Sequence, residues 1–291
     1  MLRLLLPVFF ALLLCCAGCA GIAGSPGLAA TPRLSTHEFR FADGGRALYF
    51  VIDKGPRATN TPRTLVFVVP GSDCLSMAPF LPQYFDGLDG AGALRIFILH
   101  KRFIGLHDDG RNCSAAYTAA DHPSRWLADQ SEFIEAQLEM AAANGERPKQ
   151  VVALGISEGG EVVPLLARRF ARISHLVIVA NGGLNPADSL RLQAQRHGFA
   201  DEAEAVRARC ANTVDPDSAQ AAGRSCRYWN ELYALDPNAS LMALELPILV
   251  AMGEGDALVA PDSARLLARQ FERAGKQNLQ LLLFPGANHA L

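Results

Sequence analysis

The chain has 291 residues, 50% of them hydrophobic, which suits one large α/β domain with an insertion or two small domains and excludes intrinsic disorder as a starting description. Its 27 basic and 29 acidic residues give a formal net charge of -2, so no electrostatic excess exists to hold a polyanion, and nucleic-acid binding is disfavoured.

In chain order, the first signal is for targeting. Arg3 supplies a short basic region, and Leu4 to Leu14 is an apolar run broken only by Pro7, too short to span a bilayer. The segment that follows, Cys16-Ala17-Gly18-Cys19-Ala20, resembles a bacterial lipobox. That resemblance implies a signal peptide over residues 1–19 and a lipid anchor on Cys19, although Cys16 stands where leucine is usual. The alternative is an ordinary signal peptide cut within Ala17 to Ala20. Either reading implies an exported protein of the periplasm or cell envelope. The pair Cys16-x-x-Cys19 has the spacing of a redox or zinc site, but it lies inside the export signal and is discounted.

Of the seven cysteines, Cys74, Cys113, Cys210 and Cys226 remain after the signal, an even set that suggests two disulfides in an oxidising compartment. Sequence does not rank the pairings rigorously. We expect Cys210 with Cys226, which are close in sequence, and Cys74 with Cys113, both in loops after strands; buried free thiols are the alternative.

Residues 20–37 are rich in Gly, Ala, Ser, Thr and Pro and read as a flexible tether, with folding expected to begin near Glu38. Phe39 to Phe41 and Ala47 to Ile52 flank Asp43-Gly44-Gly45, a hairpin pattern. Continuous apolar runs then recur at Thr64 to Val69, Arg95 to Leu99, Gln150 to Leu154, His175 to Val179, Ile248 to Met252 and Leu279 to Phe284, as for strands covered on both faces. Helical patterns fall between them at Ser124 to Ala143, Glu158 to Ala171 and Asp262 to Ala274. The alternation implies an α/β fold with a mainly parallel sheet and helices on both faces. It lapses over residues 184–244, which carry the helix-forming stretches Ser189 to Cys210 and Ser225 to Ala234 and read as a small helical cap insertion. Residues 38–183 and 245–291 form the core on this reading. Tyr228, Trp229, Leu232 and Tyr233 share one helical face, more often a packing stripe than a pocket wall.

The chemistry centres on VVALGISEGG, Val151 to Gly160, where a buried strand runs into Gly155-x-Ser157-x-Gly159 and then a helix. A serine between a strand end and a helix start sits in a strained turn that pushes its hydroxyl into the open, and the flanking glycines remove side chains that would collide with backbone. Helix capping is the competing role for such a serine. A serine nucleophile needs a base, and the base needs an orienting partner. Ile248 to Met252 ends in Gly253-Glu254-Gly255-Asp256, and Leu279 to Phe284 runs into Pro285-Gly286-Ala287-Asn288-His289. Both loops emerge at the carboxyl edge of the sheet, where open α/β sheets bind ligands.

In the order GISEG, GEGD and NH, the chain from about Glu38 onward resembles the α/β-hydrolase fold family. The resemblance implies Ser157 as nucleophile, Asp256 as acid and His289 as general base. Glu254 is the rival acid, and His100, His107 and His122 are taken as structural or surface residues because none follows the last strand. It also implies oxyanion donors from the backbone N–H of Glu158 and from the loop Pro70-Gly71-Ser72-Asp73, with Ser72 first and Asp73 second; the usual His-Gly opening of that loop is absent. The Glu158 side chain is expected to be a solvated carboxylate in the first helical turn. Ser-Glu-Gly-Gly also resembles peptidase-like members, in which an acidic side chain would meet a substrate amino group. His100-Lys101-Arg102 ends a core strand, with solvated cations the expectation and a grip on a substrate anion the alternative. Pro164 inside the helix after the serine should bend it.

No metal spacing, phosphate loop or dinucleotide fingerprint is present, so neither a metal nor any other cofactor is expected. The activity implied is hydrolysis of a carboxylic ester, or less readily an amide or thioester, through an acyl-enzyme on Ser157, with a small-molecule ester or short peptide as substrate. A peptidase or acyltransferase with the same residues, and an anchored binding protein without turnover, are the alternatives.

Overall fold

The computed structural model of the chain describes residues 33–55, 63–88 and 92–291. The expected signal peptide and the lipidation site Cys19 lie outside the described residues, as does most of the expected tether. The strands are β1 (Arg33–Arg40), β2 (Arg46–Lys54), β3 (Thr64–Val69), β4 (Leu94–Leu99), β5 (Gln150–Ile156), β6 (His175–Val179), the two-residue β7 (Gln220–Ala221) and β8 (Arg224–Ser225), β9 (Ile248–Gly253) and β10 (Leu279–Phe284). The helices are α1 (Leu81–Tyr84), α2 (Ala115–Ala120), α3 (Pro123–Ala143), α4 (Gly159–Arg169), α5 (Pro186–His197), α6 (Ala200–Ala211), α7 (Cys226–Ala234), α8 (Pro237–Ala243) and α9 (Asp262–Arg273).

Eight strands form one sheet in the order β1-β2-β4-β3-β5-β6-β9-β10. The β1–β2 and β2–β4 pairs are antiparallel and every other neighbouring pair is parallel. All six residues of β3 and all six of β9 are buried, as expected of strands flanked on both sides. The direction of each crossover decides which face its helix covers, because the right-handed rule fixes the side once the step direction is set. Steps from β4 to β5, β5 to β6 and β9 to β10 run one way and place α3, α4 and α9 together on one face. The step from β3 to β4 runs the other way and puts α1 on the opposite face. The core divides accordingly: Leu65, Phe67, Phe97, Phe133, Leu166, Ile178, Val250 and Leu267 pack in one cluster. Phe50, Val66, Val68, Ile96 and Ile98 meet Leu81 and Phe85 in the other.

Three details depart from the sequence reading. β1 begins at Arg33, ahead of Glu38, because an antiparallel edge strand needs only a backbone ladder: Arg33 pairs with Asp53 and Leu34 with Ile52 without any apolar alternation. The expected helix Ser189 to Cys210 is two helices, α5 and α6, separated where Gly198 takes a left-handed φ of 76° as C-cap. The helical segment also contains the small β7–β8 hairpin. Pro164 lies fully inside α4, which continues to Arg169.

Both expected disulfides are present, Cys74–Cys113 and Cys210–Cys226. Among the described residues, no helix is long and apolar enough to cross a membrane.

Candidate active site

The end of β5 delivers Ser157 into a turn with φ 52°, a left-handed conformation that costs a non-glycine residue on the order of 1–3 kcal/mol. Three hydrogen bonds hold it there. Ser157 N donates to Val179 O at 2.8 Å, Gly160 N donates to Ser157 O at 2.8 Å, and Asn181 Nδ2 donates to the same carbonyl at 3.0 Å. The glycines on either side are sterically required: a Cβ on Gly159 would run into the Val69 carbonyl, and one on Gly155 would run into Gly159 itself.

The loops after β9 and β10 bring the other two side chains to this turn. His289 Nε2 lies 3.0 Å from Ser157 Oγ, and His289 Nδ1 lies 2.8 Å from Asp256 Oδ2. Asp256 is fully buried, and its Oδ1 accepts from the backbone N–H groups of Leu258 (2.8 Å) and Val259 (2.9 Å). A carboxylate only accepts, so Nδ1 carries the ring hydrogen and Nε2 presents its lone pair to the serine hydroxyl. The two loops touch directly, with Gly255 N donating to Ala287 O at 2.8 Å. Helix α5 braces the acid loop from outside: Arg196 Nη1 donates to Asp256 O at 2.9 Å, and Gln193 Nε2 to Ala257 O.

The rival residues are engaged elsewhere. Glu254 is exposed and pairs with Arg265 at 2.7 Å. His100 is buried and its Nε2 accepts from Met77 N at 3.0 Å; burial pushes its pKa down to about 4. His122 caps α3 and lies 3.2 Å from Glu231 Oε2, and His107 is exposed.

Facing Ser157 from the other side is the loop after β3, where a Cβ on Gly71 would stand 3.2 Å from the serine Cβ. Neither Ser72 N nor Glu158 N donates to an acceptor among the described residues. Asp73 takes a left-handed φ of 74°.

Two expectations about charged groups are corrected. The Glu158 carboxylate is not solvated: the side chain is 9% exposed, its Oε2 accepts from Lys101 Nζ at 2.6 Å and its Oε1 from the Tyr228 hydroxyl at 2.6 Å. The cations after β4 are not solvated either. Lys101 also donates to Asp121 Oδ1 at 2.8 Å and stands 3.8 Å from the centre of the Trp126 ring, while Arg102 is buried against Asp129 and Asp43. Burial alone would lower the Lys101 pKa, but Glu158 and Asp121 raise it well above the ordinary lysine range. Arg224 from β8 completes the cluster by pairing with both Asp121 and Asp73. The aromatic face of α7 is a packing face in part, since Tyr228 and Leu232 join the main core.

Sequence reading missed Asn181, Asp121, Arg224 and the braces Gln193 and Arg196. Asp121 carried a faint signal, standing just ahead of the α3 start, whereas nothing local marked Arg224.

Fold and contact geometry together define a protein of the α/β-hydrolase type, with a serine, a histidine and an aspartate in hydrogen-bonding sequence at the carboxyl edge of the sheet. A family model described as BAAT / Acyl-CoA thioester hydrolase C terminal matches residues 133–291, and the chain belongs to that family of hydrolases. Among solved structures it resembles Est1E from Butyrivibrio proteoclasticus, with 16% identity, a TM-score of 0.57, and 88% of this chain and 90% of that one covered. A thermophilic esterase from the Planctomycetes species Thermogutta terrifontis aligns with 16% identity and a TM-score of 0.56 over 91% of this chain and 85% of that one. An acylaminoacyl peptidase of Pyrococcus horikoshii aligns with 13% identity and a TM-score of 0.57 over 89% of this chain but only 38% of its own. No curated protein matches the chain in a sequence search.

Proposed function

We propose that the protein is a serine hydrolase that cleaves a carboxylic ester, or less readily a thioester or amide, through an acyl-enzyme on Ser157. The single observation that carries this reading is the continuous hydrogen-bonded line from Ser157 Oγ through His289 to the buried Asp256. His289 Nε2 takes the hydroxyl proton as Oγ attacks the acyl carbon. Asp256 holds the ring in the required tautomer and stabilises the imidazolium that forms. The protonated histidine then gives its proton to the departing alkoxide, thiolate or amine, and water admitted to the same base releases the acid. The backbone N–H of Glu158 and that of Ser72 supply the oxyanion donors, a role supported by the approach of the Gly71 turn to Ser157 and by the lack of a described acceptor for either group.

Membership of a family whose description includes acyl-CoA thioester hydrolases keeps thioesters within the substrate range. The helical segment reaches the site through Gln193, Arg196, Arg224 and Tyr228 and would set acyl specificity; its modest size favours short acyl chains. An exported setting is supported by the two disulfides, which form and persist in oxidising compartments; the lipobox-like segment makes Cys19 the proposed lipid attachment point. Incorporation of radiolabelled palmitate, abolished by Cys19→Ser, would test the anchor.

The decisive experiment labels purified protein with a fluorophosphonate and follows chromogenic esters of rising acyl length beside thioester and amide analogues. Labelling and turnover lost together in Ser157→Ala are expected. Turnover that survives Ser157→Ala would end this reading, and an optimum at long acyl chains would end the short-chain part of it.

A further inference from the structure

The charged cluster beside Ser157 is arranged as a line with its two ends on opposite walls of the site. At one end Glu158, whose own peptide N–H is a proposed oxyanion donor, gives its carboxylate to Lys101 and to Tyr228. Lys101 passes the contact to Asp121, which also accepts from the Trp126 ring N–H at 3.0 Å. Asp121 in turn pairs with Arg224, and the same guanidinium reaches Asp73 at 2.8 Å, next to Ser72 in the facing loop. Apart from Asp73, these side chains are largely buried: Asp121 is 1% exposed, Lys101 11% and Arg224 15%.

We propose that Arg224, Lys101 and the Glu158 carboxylate are positioning residues that fix the spacing of the two oxyanion donors and make the turnover rate depend on the helical segment; the proposal rests on the Ser157 acyl-enzyme reading. Three features support it. The line ends on backbone of restricted geometry: Asp73 holds a left-handed φ of 74°, and Glu158 follows Ser157, which holds one of 52°. Two of its contacts come from the helical segment, Arg224 from β8 and Tyr228 from α7, so displacement of that segment releases both walls at once. Both partners of the Arg224–Asp73 contact are also stapled close by: Cys74 follows Asp73 and bonds Cys113, while Cys226 follows the Arg224–Ser225 strand and bonds Cys210. The carboxylate that was a candidate grip for a substrate amine is instead engaged from within the chain, accepting one bond on each oxygen.

Oxyanion donors act only when aimed at the charge that develops during attack, so loosening them lowers kcat and leaves ground-state binding nearly intact. The test compares wild type, Arg224→Gln, Tyr228→Phe, Glu158→Gln, the double variant Tyr228→Phe/Glu158→Gln, and the control Arg207→Gln, which breaks only the exposed pair with Glu204 on α6. Each is assayed on a short-chain chromogenic ester for kcat and KM, on a fluorophosphonate for its labelling rate, and by thermal unfolding to normalise for folded protein.

The expected result is a fall in kcat of about tenfold in Arg224→Gln and Glu158→Gln and of a few-fold in Tyr228→Phe, with KM changed by less than about twofold and labelling slowed in proportion. The double variant should be no slower than Glu158→Gln alone, because both changes release the same carboxylate. Wild-type kcat in the folded variants, additive losses in the double variant, or losses confined to KM overturn the proposal. If Arg224→Gln or Glu158→Gln does not fold, Tyr228→Phe, which removes one hydroxyl, decides. Active wild type with inactive Ser157→Ala and unaffected positioning variants defeats this proposal alone; wild type that neither turns over nor labels defeats the hydrolase reading and this one with it.

Discussion

Ser157, Asp256 and His289 stand at the ends of three strands of one sheet, whereas the cluster beside them, Glu158, Lys101, Asp121, Arg224 and Asp73, draws on the helical segment as well as on the core. Both are long-range assemblies: 132 residues separate Ser157 from His289, and 151 separate Asp73 from Arg224. They are held by different means. The first is fixed by strand register, by backbone bonds between loops and by glycines that admit close approach, so it persists wherever the sheet persists. The second consists almost wholly of buried ion pairs, where desolvation nearly cancels the attraction and loss of one partner leaves an uncompensated charge. On the proposed reading, chemistry falls to the part fixed by the sheet, and control by the helical segment falls to the part held by ion pairs.

The largest effects should come from the strand-end group. Ser157→Ala or His289→Ala is expected to lower kcat by on the order of 10^6-fold; the unfolding temperature should barely change in Ser157→Ala and should fall in His289→Ala, which removes the partner of the buried Asp256 Oδ2. Asp256→Asn keeps the shape but turns an acceptor-only group into one that can donate, which favours the wrong ring tautomer; a loss on the order of 10^4-fold in kcat is expected. A loss of tenfold or less in Asp256→Asn would mean that the tautomer is set elsewhere and would weaken the contrast between the two regions.

That contrast also explains what the sequence made legible. Strand ends are local events: an apolar run, a glycine pair and a single polar residue mark each, so Ser157, Asp256 and His289 could be read in order along with the parallel sheet they stand on. The start of β1 at Arg33 was hidden because an edge strand is defined by its ladder, not by its side chains. Glu158 is harder still. Its first-turn position suggests a solvated carboxylate, and nothing within many residues of it discloses that Lys101 lies beneath it and Tyr228 above. Arg224 sits in a two-residue strand of a segment whose placement no periodicity encodes. The Cys210–Cys226 pairing gave warning only that this segment is braced within itself.

Those two disulfides offer a smaller effect that separates the regions. By loop-closure entropy, removing Cys74–Cys113, with a sequence separation of 39, should cost about 4 kcal/mol, and removing Cys210–Cys226, with a separation of 16, about 3 kcal/mol. Chemical denaturation of Cys113→Ser and Cys210→Ser, compared with wild type, would check the order. Because both staples flank the Arg224–Asp73 contact and neither touches the strand-end group, kcat at full folding should fall by severalfold, far less than in Ser157→Ala. A larger fall would show that the strand-end geometry itself relies on the staples.

The smallest expected effect tests the ground beneath Ser157. Glu161 is buried in the first turn of α4; its Oε1 accepts from Asn181 Nδ2 at 2.8 Å, and its Oε2 has no partner among the described residues. Burial, reinforced by the nearby Glu158 charge and opposed by the Asn181 bond, raises its pKa to about 8. The folded carboxyl thus keeps its proton up to about pH 8, whereas the unfolded one releases it near the ordinary glutamate value of 4.5. Between those values the folded state holds one more proton, so each rise in pH favours unfolding; the stabilisation is complete below the unfolded value and is lost as pH climbs through the folded one. His100 acts with the opposite sign, since its pKa of about 4 in the folded state against 6.5 makes folding more favourable as pH rises through that window. Total stability therefore hides both terms, and the difference between Glu161→Gln and wild type isolates one of them. That difference should move in favour of the variant by on the order of 2 kcal/mol between about pH 5 and pH 7. A pH-independent difference would mean that Glu161 is already ionised in the fold, and the carboxylate would then need a cation that the present geometry does not supply.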